Sequence, residues 1–206
     1  MNYLLLIGAF LLIPARQQDS IRALWERSEF KQVVPYDLFR QAMEGYYRYG
    51  FTSDILTIID YTLPSTQKRF FVINLHTGKL IFQEYVAHGK NSGENYAVSF
   101  SNEVGSLKSS VGVFRTGDTY IGKHGYSLRL TGLEKGKNDN ASKRDIVIHG
   151  ASYVSEDFIR RYGRLGRSWG CPALPVDKVR AIIDTIKGGT CLYIRGVDST
   201  CANKMR

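Results

Sequence analysis

The succession of apolar and polar positions divides the chain into three textures. Tyr3 to Ile13 is an unbroken run of 11 residues, apolar apart from the tyrosine hydroxyl. That is too short for a bilayer-spanning helix, which needs roughly 20. It has the length of a secretory-signal core, and Ile13-Pro14-Ala15 offers a cleavage site ending in a small residue. No Lys or Arg precedes the run. The first texture therefore reads as export: residues 1–15 are a signal peptide or, if uncleaved, an N-terminal anchor that would associate the protein with a membrane. The alternative is a buried N-terminal strand or helix.

Between residues 16 and 50 the apolar positions recur at helical spacing. Ile21, Leu24 and Trp25 share a face behind Ser20, a candidate N-cap. Leu38, Phe39, Ala42, Met43 and Tyr46 follow Pro35 in the same way and stop near Gly50. This predicts a helical cap segment. From residue 51 the texture turns to β-rich runs: ILTIIDY, RFFVINL, KLIFQEYVA, GVFRTGDTYIG, YSLRLTGL and RDIVIHG. His76-Thr77-Gly78 reads as a hairpin turn, and KNSGENY and LEKGKNDNASK read as loops. In PVDKVRAIIDTIKGG, Val179, Ile182, Ile183 and Ile186 fall on one helical face, and TCLYIRG then reads as a closing strand. The expectation is a mainly β domain over residues 51–206, with a helical N-terminal segment and one C-terminal amphipathic helix.

Composition is consistent with a folded chain, with 43% hydrophobic and 23% charged residues. Lys and Arg number 28 against 19 Asp and Glu, a net charge of +9. The excess suits an anionic partner such as a wall polymer or lipid surface, or simply a solvated face. Its densest run is RRYGRLGR, residues 160–167. No nucleic-acid-binding motif accompanies it, so nucleic acid is not an expected partner. In an oxidising compartment Cys191 and Cys201, close together in the tail region, are candidates to pair; three reduced cysteines are the alternative. Pairing would leave Cys171 as the odd thiol.

Cys171 lies in GRSWGCPAL, residues 166–174, where the backbone is bent by design. Gly170 can adopt a positive φ, and Pro172 pushes Cys171 towards an extended conformation. Either this is a packing corner that happens to hold sulfur, or the corner presents the sulfur. A cysteine nucleophile needs a base nearby and donors for the oxyanion it creates. Of the four histidines, His76 sits in a turn, and His88 and His124 sit in loops. His149 ends the strand IVIHG, a rigid mount for a base. The amides of Gly170 and Cys171 are candidate oxyanion donors. Such a pairing predicts thiolate formation below the ordinary thiol pKa of about 8.5. Papain-like enzymes place Cys before His, the reverse order. Cys-x-x-Cys and His-Glu-x-x-His are both absent, so no metal and no cofactor is expected.

IVIHG followed by SWGCPAL resembles the catalytic signature of the L,D-transpeptidases, the YkuD-type enzymes of bacterial cell-wall assembly, and most of all the murein L,D-transpeptidase catalytic domain branch. HGKNSGE, FSNEVGSLKSSVG, YIGKHGYSLRLTGLEKG and the Asn-Asp-Asn-Ala stretch before RDIVIHGA extend the likeness over roughly residues 55–195. The resemblance implies a β-sandwich or barrel domain in the bacterial periplasm or envelope. Its members attack a peptidoglycan stem peptide at the third residue, expel D-alanine, and pass the acyl group to an amine, giving a 3→3 cross-link, or to water. Carried over, Cys171 is the nucleophile and His149 the base, with the Gly150 carbonyl orienting the imidazole. Trp169, Gly170 and Cys171 supply oxyanion amides, and Ser168 occupies the family's Ser/Thr position among the substrate-binding residues. Many members have a second histidine where Trp169 stands and an arginine where Ala173 stands. Substrate carboxylates would then be met by Arg144, Arg164, Arg167, or Lys123 beside His124. An L,D-carboxypeptidase or amidase of the same fold, and a wall-binding module with a structural cysteine, are the competing readings. A sortase-like enzyme shares the His-before-Cys order but lacks the threonine-rich approach to its cysteine.

Overall fold

The computed structural model describes residues 14–198. Two helices come first, α1 (Ala15–Arg27) and α2 (Tyr36–Arg48). Three strands follow, β1 (Ile55–Asp60), β2 (Phe70–Asn74) and β3 (Lys79–Glu84), and after a long loop β4 (Gly112–Gly122), β5 (Gly125–Gly132) and β6 (Val147–Gly150). The chain ends with α3 (Glu156–Tyr162), β7 (Ala173–Leu174), α4 (Val179–Ile186) and β8 (Cys191–Arg195). The strands form one sheet in the order β3-β2-β1-β8-β4-β5-β6-β7. Ala87, just beyond β3, bridges antiparallel to Ala173 on β7, so the two ends of the sheet nearly meet. The mainly β expectation holds, in the form of an almost closed eight-stranded sheet with four helices.

β1 shows why its sequence is a continuous apolar run rather than an alternating one. Ile59 faces an inner core with Phe70, Phe114, Leu128 and Ile148, which α4 covers with Ile182, Ile183 and Ile186. Leu56 and Ile58 face the other way, against Phe30, Leu38, Phe39 and Met43 of the helical segment. Both faces of the strand are buried, which removes the polar positions. The segment before residue 51 is thus a layer of core.

Two local readings change. Ser20 is not an N-cap: α1 begins at Ala15 after Pro14, and the Ser20 hydroxyl donates back to the Arg16 carbonyl at 3.0 Å. Part of the basic run is helical, as α3, because Ser155 caps it by accepting from the Phe158 amide and Gly163 ends it at φ 69°. Cys191 is buried in β8 against the helical layer and makes no disulfide among the described residues; Cys201, the other half of the expected pair, lies outside them. The signal or anchor reading also falls outside them, except that Pro14 and Ala15 open α1. No described helix is long and apolar enough to cross a membrane.

Beneath the last pairings sits a buried cation. Arg69 is fully buried and makes no ion pair among the described residues. Its guanidinium donates to the carbonyls of Val86 and Leu63 and, at 2.7 Å, to Nδ1 of His88, and lies 4.9 Å from the centre of the Tyr61 ring. His88 Nε2–H donates in turn to the Gly93 carbonyl. Burial pulls Arg69 down to about 10, and burial together with Arg69 pulls His88 down to about 3. The cluster stiffens residues 86–89, the stretch that pairs with Ser168 and Ala173.

Candidate active site

β6 delivers His149 from the interior. The parallel pair with β7 sets His149 opposite Ala173 and Gly150 opposite Leu174, so histidine and cysteine corner are held by one short ladder. His149 is buried, with Nδ1 3.0 Å from its neighbour's carbonyl, Gly150 O. A carbonyl only accepts, so Nδ1 carries the hydrogen and Nε2 keeps its lone pair. Burial holds the imidazole below its usual 6.5; the Gly150 hydrogen bond opposes this, and His124 and Lys123 add to it. The resting ring is neutral and able to take a proton.

The corner is built by Ser168. Its hydroxyl accepts from the Gly170 amide at 3.1 Å and donates to the Cys171 carbonyl at 2.6 Å. Gly170 sits at φ 129°, and a Cβ there would lie 2.9 Å from the Lys108 carbonyl, so no other residue fits this turn. The Ser168 hydroxyl is therefore engaged inside the turn, although the residue lines the cavity. The Gly170 amide is occupied as well. The amides of Trp169 and Cys171 have no hydrogen-bond partner among the described residues, which makes them the available oxyanion donors.

Cys171 is half-buried, and its thiol donates to the Asp145 carbonyl at 3.3 Å rather than to His149. Asp145 adopts φ 52°, which turns that carbonyl towards the corner. Burial pushes the Cys171 thiol up from 9.0; the Val147 amide pulls against it, Asp145 adds to the rise, and Arg144 and Lys123 oppose it. The expected depression below 8.5 is thus not what this site provides: burial outweighs the Val147 amide, Arg144 and Lys123, and the imidazole is neutral. The resting pair is thiol and imidazole.

Cys171 and His149 open into one cavity of about 790 Å³, lined also by Leu107, Tyr120, Tyr153 and Trp169. Of the predicted carboxylate-binding cations, Arg144, Arg167 and Lys123 line it, together with His124. Arg144 is committed to the loop 101–110: it donates to the Ser101 and Lys108 carbonyls and to the Ser106 and Ser110 hydroxyls. Arg167 pairs with Glu94 at 2.6 Å, and Arg164 pairs with the same carboxylate at 2.9 Å away from the cavity lining. Lys123 instead lies over the exposed Trp169 indole, 5.4 Å from its centroid, and Lys90 lies 5.7 Å from it. Sequence reasoning missed Asp145, Tyr153 and the Val104–Lys108 loop. Leu107 and Asp145 take positive φ without being glycine, so the bends at those two positions carry no mark in the sequence. Among the described residues no group of three or more His, Cys, Asp or Glu could hold a metal ion.

Residues 31–195 match a family model described as the L,D-transpeptidase catalytic domain. No curated protein matches in sequence. Among solved structures the chain is similar to an L,D-transpeptidase from Mycobacterium smegmatis, at 14% identity and TM-score 0.43, covering 71% of this chain and 60% of that one. It is also similar to the helical cell shape determining protein Pgp2 from Campylobacter jejuni, at 16% identity and TM-score 0.45, covering 69% and 48%. A third is L,D-transpeptidase 1 from Mycobacterium tuberculosis, at 13% identity and TM-score 0.40, covering 71% and 63%. The chain thus spans between about half and two thirds of the length of these structures.

Proposed function

The chain belongs to the L,D-transpeptidase catalytic domain family, and from that premise we propose that it is an exported, cysteine-dependent acyltransferase of the bacterial envelope acting on peptidoglycan stem peptides. The observation that carries this reading is the shared cavity, into which open both Cys171 and a neutral His149 whose Nδ1–H is held by Gly150. In the proposed cycle the thiol leaves the Asp145 carbonyl for Nε2 of His149. As Sγ bonds to the carbonyl carbon of the third stem residue, the thiol proton passes to Nε2. The Trp169 and Cys171 amides meet the developing oxyanion. Collapse breaks the C–N bond, and the imidazolium returns the proton to the departing D-alanine amine. The resulting thioester is opened by an acceptor amine, whose proton His149 takes and hands back to Sγ. An acceptor amine on a second stem gives a cross-link, and water gives a trimmed tripeptide.

Mass spectrometry of a diaminopimelate-type tetrapeptide muropeptide incubated with the protein tests this. The expected result is loss of D-alanine by the natural protein and none by Cys171→Ala. Dimer against bare tripeptide identifies the acceptor. An unchanged muropeptide with folded natural protein would rule the proposal out and favour a wall-binding role.

A further inference from the structure

The β4–β5 hairpin reaches beyond the sheet it belongs to. β5 pairs with β6 at Leu128↔Ile148 and Arg129↔Val147, and residues 124–127 continue past that contact towards the end of β6. The turn is tight: Gly122 pairs with Gly125, which sits at φ 75°, so Lys123-His124 is the whole loop. A register shift between Thr116 and Thr119 sets two residues, Gly117 and Asp118, against the single Arg129 of β5, and such bulges add local twist that re-aims a hairpin. The tip makes two contacts with the catalytic parts. The His124 ring lies face to face with His149, with centroids 4.3 Å apart and 22° between planes. The Lys123 ammonium lies over the Trp169 ring, one residue from the Gly-Cys bend. His124 itself is exposed, while His149 is buried. An exposed ring thus forms the outer wall of a buried one.

We propose that the β4–β5 tip is a clasp, and that His124 is a positioning residue which fixes the plane of the His149 imidazole by stacking, while Lys123 ties the same tip to the nucleophile corner. Gly150 holds His149 at one point, Nδ1, and a single hydrogen bond leaves the ring free to rock about it. A stacked neighbour removes that freedom. Nε2 then stays directed at one place through both proton transfers, so the contribution falls on the chemical step and not on substrate affinity. Because only ring stacking is required, another flat ring should serve at position 124. This inference rests on the proposed acyl transfer for its kinetic readout, but not for its structural one.

The test uses the full chain with 13C-labelled histidine, in natural form and as His124→Phe and His124→Ala. The His149 ring protons should resonate upfield in the natural protein and in His124→Phe, and move downfield in His124→Ala. D-alanine release from the tetrapeptide should show kcat lowered about tenfold in His124→Ala with KM within about twofold, and kcat largely restored in His124→Phe. All three proteins should melt together, since the substituted side chain is exposed. A His149 resonance indifferent to His124→Ala would overturn the stack. A rise in KM at constant kcat would make His124 a substrate contact instead. A His124→Phe protein as slow as His124→Ala would show that the imidazole acts chemically. If the natural protein releases no D-alanine, the stem-peptide reading fails while the resonance arm still decides the clasp.

Discussion

At Cys171 two sets of influences compete, and burial wins. The Val147 amide, Arg144 and Lys123 all favour the thiolate, yet the thiol is held above its ordinary value because desolvation penalises the charged form more. Alkylation by iodoacetamide, followed at the Cys171 peptide, should therefore keep accelerating as pH rises through 9. A plateau reached below pH 7 would instead reveal a preformed ion pair and refute the thiol–imidazole resting state. The sequence signalled this residue clearly, because a cysteine flanked by Gly170 and Pro172 is an unusual place for a structural thiol. What it hid was the wiring: Ser168 sits in the resemblance as a substrate residue and in the structure as the brace of the turn. Three arginines read as carboxylate binders from charge alone, but Arg144 is anchored to a loop, and Arg164 and Arg167 share Glu94. Charge can be counted along a sequence; whether a partner already holds it cannot.

The elements were legible where their pattern was long and one-sided. α2, β1, β2, β4 and α4 fall on the runs that predict them, since each needs several consecutive positions to face a core. β7 has only Ala173 and Leu174 and leaves no pattern. α3 has no fully buried residue, so no apolar stripe marked it against its arginines. The helical segment ahead of residue 51 was recognised as helical, but its weight was not. Phe30, Leu38 and Phe39 are fully buried against β1 and β2, so this layer supports the sheet directly. Phe39→Ala should lower stability by about 3–5 kcal/mol in denaturant unfolding. A loss below about 1 kcal/mol would show the layer to be a loosely attached cap.

Over the whole molecule, the buried Arg69–His88 pair contributes an acid-sensitive part of the stability. His88 titrates at about 3 in the folded chain against 6.5 for a free imidazole. Between those values the unfolded chain holds a proton that the folded chain does not. The stability this group contributes is thus complete above pH 6.5 and declines as pH falls towards 3, by up to about 1.4 kcal/mol per pH unit. His88→Gln keeps an acceptor for Arg69 without the titration, so its Tm should fall less than the natural protein's between pH 7 and pH 4. Equal slopes would place the acid sensitivity elsewhere. The strand order carries a consequence of another kind. β8 is the last strand among the described residues, yet it lies in the middle of the sheet, parallel to β1 and antiparallel to β4. Until β8 is in place, β1–β3 and β4–β6 meet only through the short β7 and its Ala87 bridge, and the facing edges of β1 and β4 are unpaired. Assembly waits for residues 191–195, which must close a loop spanning most of the chain, and such distant pairings fold slowly. A chain caught in that interval presents two open strand edges, a template on which chains pair with one another instead of with themselves.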